Sequence, residues 1–419
     1  ASGEYLALVD GDGFTVIHAY SPSFPEQLSN ISYGISTNAT HELRYFSIPT
    51  PGQVNFGDYL GIVEDTKFSI DRGFYDAPFE VAITSLTSTA TIRYTLDCST
   101  PTEVSGTIYT GPILVDKTTI IRAIAYKTGY RSTDVDTQSY IFHVDAMTQP
   151  QFPENFPPTW GGGAAFYAMN QSVVNNPLYI PLTNALKSLP TLSIVTDKVN
   201  LFDPSYGIYV NGGGQGVAWE RPTSAEWFDT DGKEVFNINC GLRIQGGAGR
   251  SYKKHSFRLL FKNLYGPGKL NADIFPGPRA AKIFDTFIIR AGWNDAYSGG
   301  TQMYFLDECT RRSQIDMGVP GSHGQHIHLY VDGLYWGLYN AAEKPDQAFG
   351  ETYFGGSKDS YDVMAIGEAI EGTTAPWNAL MNLCQTGSMT NERYQLIQGN
   401  NPDGTRNFDY PDYLDVDNY

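Results

Sequence analysis

The chain has 419 residues, which exceeds the usual size of one compact domain and predicts two to four domains. Acidic residues outnumber basic ones by 45 to 28, so the formal net charge of −17 argues against a nucleic-acid partner, whose phosphates need clustered lysine and arginine. The sequence contains no apolar run of the roughly 18 residues that a membrane span needs, and we expect no such span.

The composition favours β structure and an extracellular location. Aromatic residues make up 14% of the chain and occur with 43 glycines and 24 prolines, a mixture typical of many short strands and turns. The four cysteines form no CxxC pair, so we expect no zinc site. An acidic, lysine-poor composition is common in secreted bacterial proteins, and a start at Ala1 without methionine suggests a processed piece. We therefore expect a bacterial protein that is extracellular or at the cell surface.

Residues 1–57 hold short strand patterns around the turn sequence Asp10-Gly-Asp-Gly13. This turn predicts a β-hairpin, because the remaining ligand spacing of a calcium loop is missing. The run YLALVDGDGFTVIHAYSPSF, followed by YFSIPTPGQVN, resembles the second half of a lamin-tail-type immunoglobulin-like domain. The resemblance implies an incomplete β-sandwich whose first strands are absent from the chain.

Residues 68–144 form a second β pattern. Alternation places Ile120, Arg122 and Ile124 on one face of a strand, with apolar residues opposite, as in a sandwich. The segments IRYTLDCSTPT, YTGP and TTIIRAIA resemble the C-terminal β-sandwich of chitobiase and β-hexosaminidase-type proteins, although Cys98 stands where that family usually has glycine. The resemblance implies a non-catalytic accessory module, with cell-wall or extracellular polysaccharide as a candidate partner.

Residues 145–188 are rich in proline and glycine and predict either a linker or a strap along a neighbouring domain. From residue 189 the pattern changes to strands at 192–196, 224–228 and 283–290, and the stretch 200–210 predicts a loop followed by a strand. The pattern then predicts a helix over 304–316 and a hairpin over 326–339 that turns at Asp332-Gly333.

The stretch GLRIQGGAGRSYKKHSFRLL carries the clearest chemical signal. A strand breaks into Gly246, Gly247 and Gly249, where the backbone can turn tightly and its N–H groups can cradle an anion. Lys253 and Lys254 precede the next strand, so either ammonium group could reach a phosphate. No Gly-Lys-Ser/Thr sequence is present, so this is not a Walker motif. The alternative interpretation is a glycine-rich hairpin with surface lysines.

Several segments resemble the spore-coat CotH-type kinase family: PTLSIVTD, GLRIQGGAGR, KHSFRLLFK, FIIRAGWND and HLYVDGLYWGLYNAAEKPD. The similarity extends over residues 189–419 and implies an atypical protein kinase that uses ATP with Mg or Mn to phosphorylate a protein substrate. Carried over by position, Lys254 is implied to contact the nucleotide phosphates, with Lys253 as the alternative one residue away. Glu308 is implied to pair with that lysine from the helix, as a helix glutamate pairs with a strand lysine in kinases.

Three arginines are further phosphate candidates. Arg243 and Arg250 flank the glycines, although strand alternation points Arg243 towards solvent. Arg290 ends an apolar strand, and an ion pair with Asp295 or Glu308 is the alternative to phosphate contact.

Glu343 and Asp346 lie in a hinge-like position, where adenine or ribose could bind. The alternative for both is the N-terminus of a helix, which favours acidic residues. His326 and His328 share a strand face, and ordinary strand packing is favoured over a metal site because no third ligand is evident.

Residues 414–419 resemble the start of the helix that precedes the catalytic loop in the CotH-type family. The resemblance therefore implies that the parent protein is an active kinase and that this chain is a fragment without that loop, with the metal-binding residues expected beyond Tyr419. We expect the chain as given to be inactive by itself and at best a weak nucleotide binder. The predicted fold class is mainly β and multidomain: two immunoglobulin-like β-sandwiches, the first incomplete, and then an atypical kinase-like α+β domain truncated at its C-terminus. The rival hypothesis is a non-enzymatic cell-surface or polysaccharide-binding protein with a degenerate kinase-like scaffold.

Overall fold

The computed structural model describes residues 4–25, 27, 31–37, 40–160, 163–179, 181–293, 295, 303–385 and 387–411. Within these ranges the chain is mainly β, with short and medium-length helices, as the composition predicts. No helix in the described ranges is long and apolar enough to cross a bilayer.

The N-terminal region contains a hairpin and a small sheet. Its strands are β1 (Leu6–Val9), β2 (Val16–Tyr20), β3 (Ser32–Ile35), β4 (Leu43–Phe46) and β5 (Asp58–Tyr59). β1 pairs with β2, and the other three form an antiparallel sheet. The side chain of Asp12 accepts hydrogen bonds from the N–H groups of Phe14 and Thr15, each at 2.8 Å, and so fixes the hairpin turn. A lamin-tail-type sandwich here stays a prediction.

The second β region surrounds its own apolar core and is called the sandwich below, after the architecture predicted for it. Its strands are β6 (Thr66–Phe68), β7 (Gly73–Phe74), β8 (Phe79–Val81), β9 (Ile83–Ser85), β10 (Thr91–Thr95), β11 (Thr107–Ile108), β12 (Ile113–Val115), β13 (Thr119–Tyr126) and β14 (Asp136–Ile141). The main sheet has the order β11-β10-β13-β14-β7. Val81, Ile113 and Ile121 pack in the core. Cys98 has φ of 69°, so this cysteine adopts a turn conformation that glycine favours.

Residues 145–188, called the strap below, follow as short elements joined by turns. The elements of this region are α1 (His143–Thr148), β15 (Thr159–Trp160), β16 (Gly163–Ala164), α2 (Gln171–Val174) and α3 (Leu182–Leu186).

The third region is a closed barrel. Its elements are β17 (Thr191–Val195), α4 (Lys198–Phe202), β18 (Arg221–Phe228), β19 (Glu234–Gln245), β20 (Ser256–Leu260), β21 (Leu270–Asn271), β22 (Ile283–Phe284), β23 (Thr286–Arg290), α5 (Leu306–Asp316), β24 (Gly324–Val331) and β25 (Leu334–Glu343). The barrel order is β17-β18-β19-β20-β23-β25-β24, and it closes through the parallel pair β17–β24. β24 and β25 form the predicted hairpin.

The strap belongs to the barrel structurally. Trp160 and Tyr167 of the strap are buried in the same apolar core as Leu242, Phe257 and Tyr339 of the barrel. The strap is therefore packed along its neighbour and is not a free connection between two bodies.

The predicted strand near residue 210 is wrong. After α4 the side chain of Asp203 accepts hydrogen bonds from the N–H groups of Ser205 and Tyr206, each at 2.8 Å, which bends the chain into a turn. The chain then folds back on α4, because the N–H of Ile208 donates to the carbonyl of Asn200 at 2.8 Å.

The C-terminal part contains α6 (Gln347–Phe354), β26 (Val363–Ala365), β27 (Glu368–Glu371), α7 (Ala375–Gln385) and α8 (Asn391–Ile397). Residues 414–419, on which the predicted truncation depends, lie outside the described residues.

The sandwich and the barrel meet through buried polar groups. The N–H of Ser139 in β14 donates to Glu226 of β18 at 3.0 Å, and Arg72 lies 3.4 Å from the same carboxylate. Arg72 also contacts Asp136 at 3.2 Å and Glu234 at 3.1 Å. Burial raises the pKa of Glu226 to about 7, although the charge of Arg72 opposes the shift. The interface therefore contains an ionisable group that titrates near neutral pH.

Candidate functional site

The two faces of β25 carry different chemistry. Tyr339 points into the barrel and is 1% exposed, whereas the side chain of the next residue, Asn340, contacts α5 on the outside. This is the ordinary alternation of a strand. Each residue that contacts β25 is therefore assigned to the inner or the outer face.

Lys254 lies on the inner side. Its ammonium group donates to the carbonyl of Leu338 at 2.8 Å and lies 4.4 Å from the centre of the Tyr339 ring. Burial lowers the pKa of Lys254 to about 8. The ammonium group is thus held at one end of the barrel interior.

Glu308 lies on the outer side, in the first turn of α5. It accepts hydrogen bonds from Arg311 at 2.7 Å, Arg312 at 2.6 Å and Asn340 at 3.0 Å. Burial disfavours the charged form, but the contacts with Arg312, Asn340 and Arg311 outweigh it and hold the pKa of Glu308 below its usual range. The predicted pairing of Glu308 with Lys254 is therefore wrong, because the two side chains contact opposite faces of β25.

A different strand cation pairs with the helix. Arg290, at the end of β23, lies 2.5 Å from Asp307 of α5, and the other oxygen of Asp307 accepts a hydrogen bond from Arg311 at 2.8 Å. Asp307 was missing from the predicted partners of Arg290, which were Asp295 and Glu308. Burial opposes ionisation of Asp307, but the charge of Arg290 and the contacts of Arg311 hold its pKa below the usual range. Strand and helix are thus joined by a charged network that also includes Glu308.

The sequence analysis missed Asp307, Arg311 and Asn340. Asp307 and Arg311 are four residues apart, a spacing that places both on one face of a helix, and this signal was available in the sequence. The contribution of Asn340 depends on the packing of α5 against β25, for which the sequence carries no local signal.

Two further arginines lie on the same outer face. Arg243 of β19 is directly opposite Arg258 of β20 in the strand register. Like charges in this position repel, and each is compensated by an acid: Glu220 lies 2.5 Å from Arg243, and Asp346 lies 3.4 Å from Arg258. The solvent-facing orientation predicted for Arg243 is thus corrected to a partly buried ion pair.

The glycine segment is open but is held in place by Arg250. Gly246 has φ of 120°, which requires glycine, whereas a Cβ atom at Gly247 or Gly249 would meet no atom within 4 Å. The Arg250 guanidinium donates to the carbonyls of Gly212 at 3.0 Å, Gly214 at 2.9 Å and Ile244 at 2.7 Å, and also to that of Gly246. The predicted phosphate contact of Arg250 is corrected to a structural role, since its N–H groups bind backbone carbonyls.

Glu343 is a buried structural carboxylate. It accepts hydrogen bonds from the backbone N–H of His323 at 2.8 Å, from the hydroxyl of Tyr353 at 2.6 Å and from the N–H of Ala281 at 3.2 Å. Its side chain is 4% exposed and borders a small cavity of about 30 Å³, far less than an adenine or ribose ring needs. The predicted adenine or ribose contact of Glu343 is corrected accordingly.

Asp346 caps the N-terminus of α6, because its side chain accepts a hydrogen bond from the N–H of Phe349 at 3.2 Å. It also lies 3.5 Å from Lys344, in addition to its contact with Arg258. The helix-terminus alternative therefore describes Asp346, and the predicted nucleotide contact is corrected.

The histidines of β24 are satisfied by ordinary hydrogen bonds. His326 Nε2 lies 3.0 Å from the carbonyl of Tyr304, and His328 Nε2 lies 2.9 Å from that of Ala185. Within the part of the chain that the structure describes, no group of three or more His, Cys, Asp or Glu residues is placed to hold a metal ion.

Two adjoining cavities lie on the inner side, at the end of the barrel covered by the strap. The first, called the strap cavity, has a volume of about 290 Å³ and contains Lys253 and Lys254 in its wall. The second has a volume of about 420 Å³ and is bordered by Gly212, Arg250 and His255. Lys253, whose ammonium group lies 3.4 Å from the carbonyl of Ala164, borders both.

The outer-face network of barrel, helix and arginines lies in a region that matches a known family model. Residues 242–419 match the family model described as CotH kinase protein. Residues 70–137 match the chitobiase/beta-hexosaminidase C-terminal domain. The order of the two predicted resemblances is thus confirmed. A search of curated proteins found no match to the chain. The CotH-matching region begins within β19, so the strap and the first two strands of the barrel precede it.

Proposed function

We propose that this protein is a secreted, bacterial CotH-like atypical protein kinase that transfers a phosphoryl group from ATP to a protein substrate. The observation that carries the proposal is the ion pair of 2.5 Å between Arg290 of β23 and Asp307 of α5, inside the CotH-matching region. In kinases a strand cation and a helix carboxylate pair in this way and organise the nucleotide phosphates. Here a guanidinium group replaces the expected lysine.

The glycine segment lies within reach of Arg290. Ser256 joins the two, because it pairs with Gln245, the residue before the glycines, and its hydroxyl accepts the N–H of Ala291 at 2.9 Å. Two strand spacings separate β19 from β23, roughly 10 Å. A triphosphate can extend over that distance, with Arg290 at one end and backbone N–H groups at the other.

The residues present fit the phosphates better than the metal. Open space at Gly247 and Gly249 allows close approach of an anion, and the Arg290 side chain retains 36% of its exposure. Bound ATP would supply the transferable phosphoryl group. The described residues contain no group of three or more His, Cys, Asp or Glu placed to hold a metal by itself, so a divalent metal would be held mainly by the phosphates of ATP with one or two carboxylates.

The role of the network around Glu308 is to hold α5 in position. Arg311 bridges Asp307 and Glu308, and Asn340 ties Glu308 to β25. Arg290 therefore faces a helix that cannot rotate without breaking several charged contacts. A fixed guanidinium group is what orientation of a phosphate requires.

The test uses the full-length protein with γ-labelled ATP and Mg²⁺ or Mn²⁺, and measures transfer to the protein itself and to candidate substrates. We expect transfer that falls at least 100-fold in Arg290→Met and in Asp307→Asn. The matched control is Arg131→Met, which removes an equal charge from the surface of the sandwich. Transfer that is unchanged in both site variants would contradict the assignment of the site, and no ATP binding at all would contradict the kinase proposal.

The second candidate is a non-enzymatic polysaccharide-binding protein. It is favoured by the match of residues 70–137 to a chitobiase-type domain. Affinity for soluble chitin or cell-wall fragments together with no ATP binding would support this candidate instead.

A further inference from the structure

The strap cavity has properties that the proposed phosphoryl-transfer site does not use. It lies on the inner side of β25, opposite the Arg290–Asp307 pair. Its wall includes aromatic rings from the strap and from β25: Trp160, Phe166, Tyr167, Tyr335 and Trp336. The strap, which includes Trp160, precedes the CotH-matching region. The cavity therefore lies between a segment outside that region and the start of β25.

The rings form a preassembled wall. Trp336 lies 5.6 Å from Trp160 and 5.7 Å from Tyr167, measured between ring centres. The indole N–H of Trp336 donates to the hydroxyl of Tyr209 at 3.3 Å, which fixes the orientation of that ring. Trp160 and Tyr167 are buried in the barrel core, and Trp336 packs against that core. A flat apolar ligand would therefore find rigid ring surfaces without reorganising the protein.

The same cavity carries positive charge without a carboxylate partner. No acidic oxygen lies within 4.0 Å of the ammonium group of Lys253 or Lys254 in the described part of the chain. The hydrogen-bond acceptor of each is a backbone carbonyl, Ala164 for Lys253 and Leu338 for Lys254. Burial alone accounts for the lowered pKa of Lys254, which agrees with a charge that has no acid beside it. Two ammonium groups without a neighbouring carboxylate favour an anionic ligand over a neutral or cationic one, even in a chain with a net charge of −17.

We propose that the strap cavity binds a small aromatic anion, a planar ring that carries one carboxylate or similar acidic group. The ring would stack on Trp336 and the strap aromatics, and the acidic group would meet Lys254 and Lys253. The volume of about 290 Å³ suits a one- or two-ring compound. Because the cavity and the Arg290 network lie on opposite faces of β25, this site is independent of the proposed kinase activity.

The experiment compares three probes of one shape on the whole protein by calorimetry: 2-naphthoate, 2-naphthylmethanol and 2-naphthylmethylammonium. We expect the anion to bind at least 10-fold more tightly than the alcohol, and the ammonium compound more weakly than both. Equal affinities for the three probes, or no binding by the anion, would overturn the proposal with the native protein alone.

Variants then locate the site. Lys254→Met is expected to abolish the preference for the anion while the alcohol binds as before, and Trp336→Ala is expected to weaken both probes. Lys233→Met, which removes the same charge from an exposed hairpin turn, is the matched control and should change neither affinity. Anion binding that survives Lys254→Met together with Lys253→Met would overturn the assignment. Thermal melts verify that each variant is folded.

Discussion

Lys254 and Glu308 are separated by β25: the ammonium group packs on Tyr339 inside the barrel, and the carboxylate binds Asn340 outside. The ammonium group of Lys254 and the carboxylate of Glu308 therefore make no direct contact. We predict that Lys254→Met and Glu308→Gln change the free energy of unfolding additively, with a coupling energy below about 0.5 kcal/mol. A double-mutant cycle by chemical denaturation measures this. A coupling energy well above that value would mean that the two side chains meet in solution.

Arg290 and Asp307 provide the matched comparison. Their charged groups lie 2.5 Å apart and both side chains are about one-third exposed, so solvent weakens the attraction. We predict a coupling energy of about 1 kcal/mol for Arg290→Met with Asp307→Asn at low salt, falling as the salt concentration rises. A coupling energy of zero would show that the ion pair between Arg290 and Asp307 does not stabilise the protein.

A substitution of Gly249 distinguishes a structural role of the glycine segment from a role in ATP binding. Its backbone conformation is accessible to alanine, and the added Cβ atom would meet no atom within 4 Å. We predict that Gly249→Ala raises the free energy of unfolding by about 0.4–1 kcal/mol, because alanine reduces the entropy of the unfolded chain. If the segment cradles phosphate, the same variant weakens ATP binding several-fold.

The control for this substitution is Gly246→Ala. Its φ of 120° is strained for alanine, so this variant should lower stability. A gain in stability by Gly249→Ala with unchanged ATP affinity would show that the phosphates do not approach Gly249.

Features that depend on neighbouring residues could be predicted from the sequence, whereas features that depend on contacts between distant parts of the chain could not. The β24–β25 hairpin was predictable because the sequence Asp-Gly favours the positive φ values that this kind of turn requires. These values are 49° at Asp332 and 81° at Gly333. The pairing of β17 with β24 was not, because it joins residues far apart in the chain and local patterns do not encode it. Because closure of the barrel was not predicted, the inner and outer faces of β25 could not be assigned. The sequence therefore did not show that Lys254 and Glu308 contact opposite faces of this strand.

The strap illustrates the same limit. Its prolines and glycines predicted irregular structure, and one of the two alternatives was a strap along a neighbouring domain. That Trp160 and Tyr167 complete the barrel core is a tertiary fact, since neither residue lies in a periodic apolar pattern.

A substitution of Glu343 distinguishes a structural role of this carboxylate from a role in ligand binding. Its carboxylate accepts hydrogen bonds from His323, Tyr353 and Ala281 in a buried position, so Glu343→Ala would leave several donors without a partner. We predict a loss of about 3 kcal/mol or more in the free energy of unfolding, with the exposed Glu368→Ala as control. Unchanged stability combined with weaker ATP binding would restore the ligand-contact interpretation.

Glu226 makes the sandwich–barrel interface sensitive to pH. Burial raises its pKa from the ordinary 4.5 to about 7 in the folded protein, so the folded state binds more protons than the unfolded state between these values. The stabilising contribution is complete below pH 4.5 and is lost as pH rises through 7, a change of up to roughly 3 kcal/mol. Glu226→Gln resembles the protonated side chain and can still hydrogen-bond Ser139, while Arg72 keeps Asp136 and Glu234.

We therefore predict that the native protein and Glu226→Gln have similar stability near pH 5 and that the variant is the more stable one at pH 8. The difference between the two proteins is the quantity to measure, by urea denaturation across this range, because it cancels other titrating groups. Asp332, whose pKa burial also raises to about 7, and His143, whose pKa burial lowers to about 4, titrate in both proteins alike. A difference that stays constant with pH, or a variant that is less stable at pH 8, would show that Glu226 is ionised in the folded interface at neutral pH and that its pairing with Arg72 outweighs its burial.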